Sequence, residues 1–515
     1  MQHTVQQRAI LDFVRDGAEN LTVSATAGSG KTTTIVDACS VAGQNVGFLA
    51  FNKHIASELK SRLNDSADAR TLNSLGLKFL KQHHPHSVKD EGKVRRTLKH
   101  LHPEFFDSRG FLRTEHSAIP AIVDICRQQA ALPTSPGNRE IVRRACSRQG
   151  VKIPPAGAAR DSLFATAAVV TRAVVEDTTC WDFLDQLIMP LYHEWVTPIY
   201  KTLFIDELQD LSPIQQMLAL ASGERVVAIG DEFQSIMGFA GADIDAVPSM
   251  GRRLTARENG CDTLPLSCCF RCPASHVAIA RILSPRIEPR PDAPDGVLAD
   301  ASVDDLLTHS DAGDFVLCRN TAPLISLAFR FIRSRKPFMV RGRDGFGDGL
   351  KTLVRKLGAA TVDDLLPAIA KWLHGQTYRM DKDVSTTNEE REQVQDRADS
   401  LTVLARDSET VEEMLSTIDS LFADKDRRNV VCLSTVHRVK GLESDRVWLY
   451  EPGLMPSRPG ERQELNILFV ALTRSKSELY LVDHHVRRTL PTRKWVEAVA
   501  NGAARWDVTV DKRRK

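Results

Sequence analysis

Ala25-Thr26-Ala27-Gly28-Ser29-Gly30-Lys31-Thr32, placed directly after the short run Leu21 to Val23, is the stretch on which the fold turns. Small residues let backbone N–H groups turn inward around the phosphates of a nucleotide. A lysine then reaches the β and γ oxygens, and the hydroxyl after it ligates Mg²⁺. The chain offers the backbone of Ala25, Ala27, Gly28, Ser29 and Gly30, the Lys31 amine and the Thr32 hydroxyl, with Thr33 following. Ala25 stands where the usual pattern has its first glycine, so the spacing alone also fits a glycine-rich strand-to-helix turn.

A phosphate loop needs a second strand that ends in acids, to hold the metal and orient an attacking water. Lys201-Thr202-Leu203-Phe204-Ile205 reads as a buried parallel strand and ends in Asp206-Glu207-Leu208-Gln209-Asp210. Asp206 is expected to hold Mg²⁺ with Thr32, and Glu207 to be the general base. A helix start would also attract acids, but would not pair them with a phosphate loop. A third run, Arg225 to Ile229, leads into Gly230-Asp231-Glu232-Phe233-Gln234-Ser235-Ile236. The Gln234 amide can bond a phosphate with one end and relay to a neighbour with the other.

These residues resemble the UvrD/Rep-like superfamily 1A DNA helicases, motors with two RecA-like domains that hydrolyse ATP to move 3′ to 5′ on single-stranded DNA. Gln7 falls where that family keeps an adenine-reading glutamine. Leu49-Ala50-Phe51-Asn52-Lys53 is similar to motif Ia and Thr71-Leu72-Asn73-Ser74-Leu75 to motif Ib, which implies DNA contacts at Phe51, Asn52, Lys53 and Asn73. The acidic strand end is similar to motif II, and Gly230 to Ala242 to motif III.

The second half carries the matching surface. Leu266 to Pro273 resembles motif IV, which implies that Phe270 stacks on adenine and Arg271 meets the γ-phosphate. Ser434 to Glu443 resembles motif V, implying DNA contacts at Thr435 and His437 and nucleotide contacts at Gly441 and Glu443. Glu464 to Arg474 resembles motif VI, with Arg474 as the arginine finger. The matches occur in order along almost the whole chain.

Several positions depart from the family pattern. Thr33 and Thr34 follow the loop where an arginine often covers the adenine. Motif III has Met237 and Ala240 in place of an aromatic and an arginine, leaving Phe239 as its base-stacking residue; stacking is worth about 1–3 kcal/mol per base. Phe51 is shifted by one position in motif Ia, and Asn73 replaces a common histidine in motif Ib.

The resemblance implies an α/β chain of two RecA-like (P-loop NTPase) parallel-sheet domains with helical insertions. The expected ranges are 1–84 and 195–250 for the ATP-binding domain 1A, 85–194 for a helical 1B insertion, 251–350 and 429–515 for domain 2A, and 351–428 for a short 2B-like insertion, strongly charged from Asp381 to Arg406. The 515-residue length suits two lobes. Net charge is only +2, so nucleic-acid binding has to rest on local basic stripes. Lys93 to His102 and Lys512 to Lys515 are candidate stripes, although charged helix faces and solvated tails produce the same runs. Cys268, Cys269 and Cys272 lack a partner pair or histidines for zinc, which favours small buried thiols. The chain opens without a signal peptide and has no apolar stretch near the ~20 residues of a membrane span, so an intracellular, cytoplasmic protein is expected.

The expected activity is an ATP-dependent 3′–5′ DNA helicase or translocase, using ATP and Mg²⁺ on single-stranded and partial-duplex DNA in repair, recombination or replication, with no obligatory protein partner visible. A translocase that strips proteins from DNA without unwinding would need the same sites. A motor subunit of a recombination nuclease is disfavoured, because about 40 residues follow Arg474. An RNA substrate stays open.

Overall fold

The computed structural model describes residues 3–50, 56, 63, 67–149, 151–238, 241–341, 346–382, 388–422, 430–457, 461–483 and 492–501. Phe51, Asn52, Lys53 and Phe239, with Ala240 and the basic run 512–515, lie outside the described residues. The described residues group into two units. One holds those up to Ala25 and from Gly30 to Ser267; the other holds Thr26–Ser29 and those from Cys268 onward.

The first unit starts with helix α1 (Val5–Asp16), whose N-terminus is fixed by a capping box between Thr4 and Gln7. It is followed by β1 (Asn20–Ala25), helix α2 (Lys31–Val41), β2 (Val46–Ala50) and β3 (Asp68–Thr71). Strands β4 (Val88–Lys89) and β5 (Cys180–Trp181) form a separate parallel pair. Strands β6 (Tyr200–Ile205), β7 (Gly223–Gly230) and β8 (Cys261–Leu266) complete a six-stranded sheet in the order β3-β2-β6-β7-β1-β8. Every pairing in it is parallel. Continuous apolar runs suit strands covered on both faces, and Leu203, Phe204 and Ile205 are wholly buried. Because the strands run one way, the loops after β1, β6 and β7 emerge at the same edge.

Between β3 and β6 lie the helices Leu72–His83, Lys93–Leu101, Ile119–Gln129, Pro136–Gln149, Ala158–Glu176 and Asp185–Tyr192. The four from Lys93 to Glu176 carry a core of their own around Leu98, Ile122, Phe164 and Val170. Beside it is a buried ionic cluster. Lys93 Nζ donates to Asp185 Oδ2 at 2.7 Å and to the carbonyls of Asp177 at 2.7 Å and Cys180 at 2.8 Å. Arg127 Nη1 reaches Asp182 at 2.7 Å and Asp185 at 2.9 Å. This corrects the reading of Lys93 as the start of a basic stripe: the amine that opens the run is inside the protein, sharing the buried Asp185 carboxylate with Arg127.

The second unit has a small parallel pair, β9 (Cys268–Cys269) with β10 (Glu288–Pro289). Its main sheet comprises β11 (Val297–Ala301), β12 (Phe315–Cys318), β13 (Phe338–Arg341), β14 (Val431–Thr435), β15 (Ser444–Tyr450) and β16 (Ser475–Val482), in the order β11-β16-β15-β12-β14-β13. All of its pairings are parallel as well. The two parallel-sheet α/β domains are therefore those the sequence leads one to expect. Between β13 and β14 the helices Phe346–Leu357, Val362–Lys382, Asn388–Arg406 and Val411–Leu421 share one hydrophobic core with the sheet, with Leu401, Leu404 and Ile418 in the same cluster as Val316 and Leu433. The Asp396 carboxylate accepts the N–H groups of Thr321 at 3.0 Å and Ala322 at 2.8 Å, capping the helix Thr321–Arg333. Among the described residues no helix is long and apolar enough to cross a membrane.

Candidate nucleotide site

The loop after β1 is built by two glycines in the left-handed region, Gly28 at φ +66° and Gly30 at φ +77°. Ser29 closes a tight turn on Thr26, its hydroxyl donating to the Thr26 carbonyl at 2.9 Å. Ala25, Ala27 and Ser29 are buried, whereas Thr33 is exposed. Gly30 precedes α2 with no side-chain cap, so the first-turn N–H groups are left to an anion.

At the end of β6 the Thr32 hydroxyl donates to Asp206 Oδ2 at 2.9 Å. A hydroxyl and a carboxylate at that separation are two hard oxygen ligands of the kind Mg²⁺ takes, so the residues fit the metal the resemblance implies. Asp206 is pushed up to about 6, chiefly by burial and then by the neighbouring Glu207, against the pull of Lys31 and the Thr32 hydrogen bond. Glu207 itself stands at φ +51°, uncommon for a residue with a side chain. Its amide donates to Asp206 Oδ1 at 2.8 Å, anchoring the left-handed turn on the buried carboxyl.

Two residues that received no role from the sequence connect this edge. The Gln209 amide meets the Glu207 carboxylate through its nitrogen and accepts the Asp231 N–H at 2.9 Å through its oxygen. Asp231, wholly buried at the end of β7, accepts from Gln234 Nε2 at 2.6 Å. Burial raises the Asp231 carboxyl, and Lys31 and Gln234 oppose the rise. Gln234 thus stands at the end of a relay running from Glu207 through Gln209 and Asp231. The clue in the sequence is the pattern Asp-Glu-x-Gln after both β6 and β7, but only the strand order shows which of those groups meet.

Gln7 is buried, and both ends of its amide are engaged: the oxygen accepts the Thr4 N–H at 3.0 Å and the nitrogen donates to Thr34 Oγ1 at 3.1 Å. Its neighbour Gln6 clamps Ser267, donating to the hydroxyl at 2.8 Å and accepting the backbone N–H at 2.9 Å. Asn73 donates to the Phe183 carbonyl at 3.1 Å from the first turn of the helix Leu72–His83.

In the second unit the residues from three separate motifs converge. Arg271 Nε donates to Glu443 at 2.6 Å, and its Nη1 to the Thr473 carbonyl at 3.2 Å. Arg474 is almost wholly buried, donating to the carbonyls of Val470 at 2.9 Å and Leu442 at 3.2 Å. Gly441, at φ +82°, lies between Lys440 and Leu442 in the turn that delivers Glu443. Phe270 is exposed beside Arg271. Thr435 closes β14 with its hydroxyl buried and without a partner among the described residues, and His437 lies half-buried in the short turn Val436–Val439.

Two family models match the chain. Residues 6–240 match an AAA domain, and residues 430–482 match a UvrD-like helicase C-terminal domain. No curated protein matches it.

Proposed function

Given that the chain is a UvrD/Rep-like superfamily 1 helicase, and hence an ATP-dependent DNA helicase, we propose that it moves 3′ to 5′ on single-stranded DNA and separates strands as it goes. What carries the reading of the ATP site is the convergence of Lys31, Thr32, Asp206 and Glu207 at one edge of the first sheet, where the Thr32 hydroxyl meets Asp206 at 2.9 Å. In this reading the loop backbone and Lys31 bind the phosphates, and Thr32 and Asp206 hold Mg²⁺, which neutralises phosphate charge when bound. Glu207 takes the proton of the attacking water, and its contact with Gln209 fixes its direction. Gln7 addresses the adenine by exchanging one of its present hydrogen bonds. Arg271 and Arg474 supply the cations that stabilise charge on the transferring phosphoryl group, with Phe270, Gly441 and Glu443 beside them. Asn73, Thr435 and His437 are the DNA contacts proposed among the described residues.

Partial duplexes with a 3′ or a 5′ single-stranded tail test the polarity. Displacement from the 3′-tailed substrate alone, dependent on ATP and Mg²⁺, is expected. Equal displacement from both, or preference for the 5′ tail, would overturn the assignment; turnover without displacement of either would leave a translocase that does not unwind.

A further inference from the structure

Cys269 and Cys272 bracket Phe270 and Arg271 just before Pro273, the N-cap of the ten-residue helix Ala274–Leu283. Cys269 Sγ accepts the Cys272 N–H at 3.4 Å, which holds the two cysteines in one turn. Cys272 Sγ also donates to the Thr473 carbonyl at 3.6 Å, the same oxygen that accepts Arg271 Nη1 at 3.2 Å. We propose that Cys269 and Cys272 form an oxidisable dithiol, whose disulfide changes the setting of Arg271 and Arg474 and slows ATP turnover.

Three observations support the dithiol. The C-x-x-C spacing at a helix start is the arrangement in which two cysteines reach bonding distance with little backbone movement. The pair is chemically unequal. The neighbouring Cys272 side chain and the backbone N–H groups of Cys272 and Arg271 draw Cys269 down to about 7 against its burial, while Cys272 is raised well above the ordinary thiol range. A thiolate near neutrality beside a protonated partner is the reactive form of such a pair. Finally, Cys269 is alone in this direction: burial raises Cys39, Cys126, Cys146, Cys180, Cys261, Cys268, Cys318 and Cys432.

With a peroxide as oxidant the step balances. The Cys269 thiolate attacks one peroxide oxygen, the O–O bond breaks, and the departing oxygen leaves as water after taking a proton. Cys272 sulfur then attacks the sulfenic sulfur; the S–S bond forms, the S–O bond breaks, and the hydroxide leaves as water with the Cys272 proton. Two thiols and one H₂O₂ give one disulfide and two waters. The disulfide removes the S–H donor from the Thr473 carbonyl and closes a ring through Phe270 and Arg271. Both changes fall on Arg271 and on the residue next to Arg474. The effect on turnover rests on the reading of these arginines as γ-phosphate cations; the disulfide does not.

The test treats the native full-length chain with a few equivalents of H₂O₂, blocks remaining thiols and maps peptides by mass. A Cys269–Cys272 disulfide, two hydrogens lighter and reversed by dithiothreitol, is expected, together with a several-fold, equally reversible fall in DNA-stimulated ATPase. In Cys272→Ala and, separately, Cys269→Ser, that reversible fall should vanish relative to each variant's own reduced activity; the mapping on the unmodified sequence holds even if a variant folds poorly. Ten thiols left intact, a disulfide involving other cysteines, or irreversible oxidation to sulfinate overturns the dithiol. A reversible Cys269–Cys272 disulfide with unchanged turnover overturns its action on the arginines. Arg271→Ala, assayed alongside, separates this from failure of the site reading: parental ATPase in that variant removes Arg271 from the site without touching the mapped disulfide.

Discussion

Lys31 carries the positive charge that offsets two buried carboxyl groups, Asp206 and Asp231, both of which burial would otherwise push further towards the protonated form. Lys31→Ala should therefore abolish ATP hydrolysis with the fold retained, measured as steady-state ATPase beside a circular-dichroism melt; near-normal turnover would sink the assignment. Glu207→Gln should still bind ATP, because Thr32 and Asp206 remain, while turnover falls by roughly 10²-fold or more with the base gone. Asp206 makes a prediction in pH. Its folded value of about 6 lies above the ordinary aspartate value of 3.8, so the folded state holds the proton more tightly than the unfolded chain does. The stabilising contribution of that proton is present below about pH 4 and is lost as pH rises towards 6. In metal-free protein Asp206→Asn should accordingly gain stability relative to the parent between these pH values, by ~1–3 kcal/mol across the window. Mg²⁺ competes with the same proton, so Mg²⁺-dependent turnover of the parent should climb through pH 6. A stability difference that is flat with pH would show that Asp206 titrates as an ordinary surface acid.

At the scale of elements, the helix Lys93–Leu101 mixes two kinds of basic residue. Arg95, Arg96, Lys99 and His100 face solvent, but Lys93 is wholly buried with Asp185. Lys93→Met removes one of the two cations on that carboxylate, leaving Arg127 to serve both Asp182 and Asp185, and should cost up to about 3–5 kcal/mol, read as a lowered Tm. Single-strand affinity and its salt dependence should not change, whereas loss of a real phosphate contact would reduce the salt slope by about 0.7. The helix Asn388–Arg406 is the second case. Its charged face suggests a detachable surface insertion. Yet Ala398, Leu401, Leu404 and Ala405 pack into the core of the second unit, and Asp396 caps a helix of that core. Deleting 388–406 should abolish cooperative unfolding of this unit in calorimetry. A soluble deletion protein that melts like the parent and unwinds several-fold better would instead identify the helix as a brake.

For the whole molecule, two parallel sheets put chemistry at strand ends, and this follows from how parallel strands connect. Each strand is entered from the same side, so loops separated by up to two hundred residues in sequence reach one edge. Arg271, Glu443 and Thr473 illustrate the same effect in the second unit, joined through bonds of 2.6 and 3.2 Å although they come from three distant motifs.

The sequence by itself determined the two parallel α/β sheets. Runs such as Leu203 to Ile205 are apolar throughout, as suits a strand covered on both faces, and the glycines before Lys31 serve a local backbone requirement that neighbouring residues can express. Tertiary structure alone decided the relay Glu207–Gln209–Asp231–Gln234, the burial of Lys93, the core face of the helix Asn388–Arg406 and the closeness of Cys272 to Thr473. Each depends on a partner 20 to 200 residues away or on which face of a helix is covered. Charge and composition report what a residue is, whereas its ionisation, pairing and reactivity are set by the neighbours that folding brings to it.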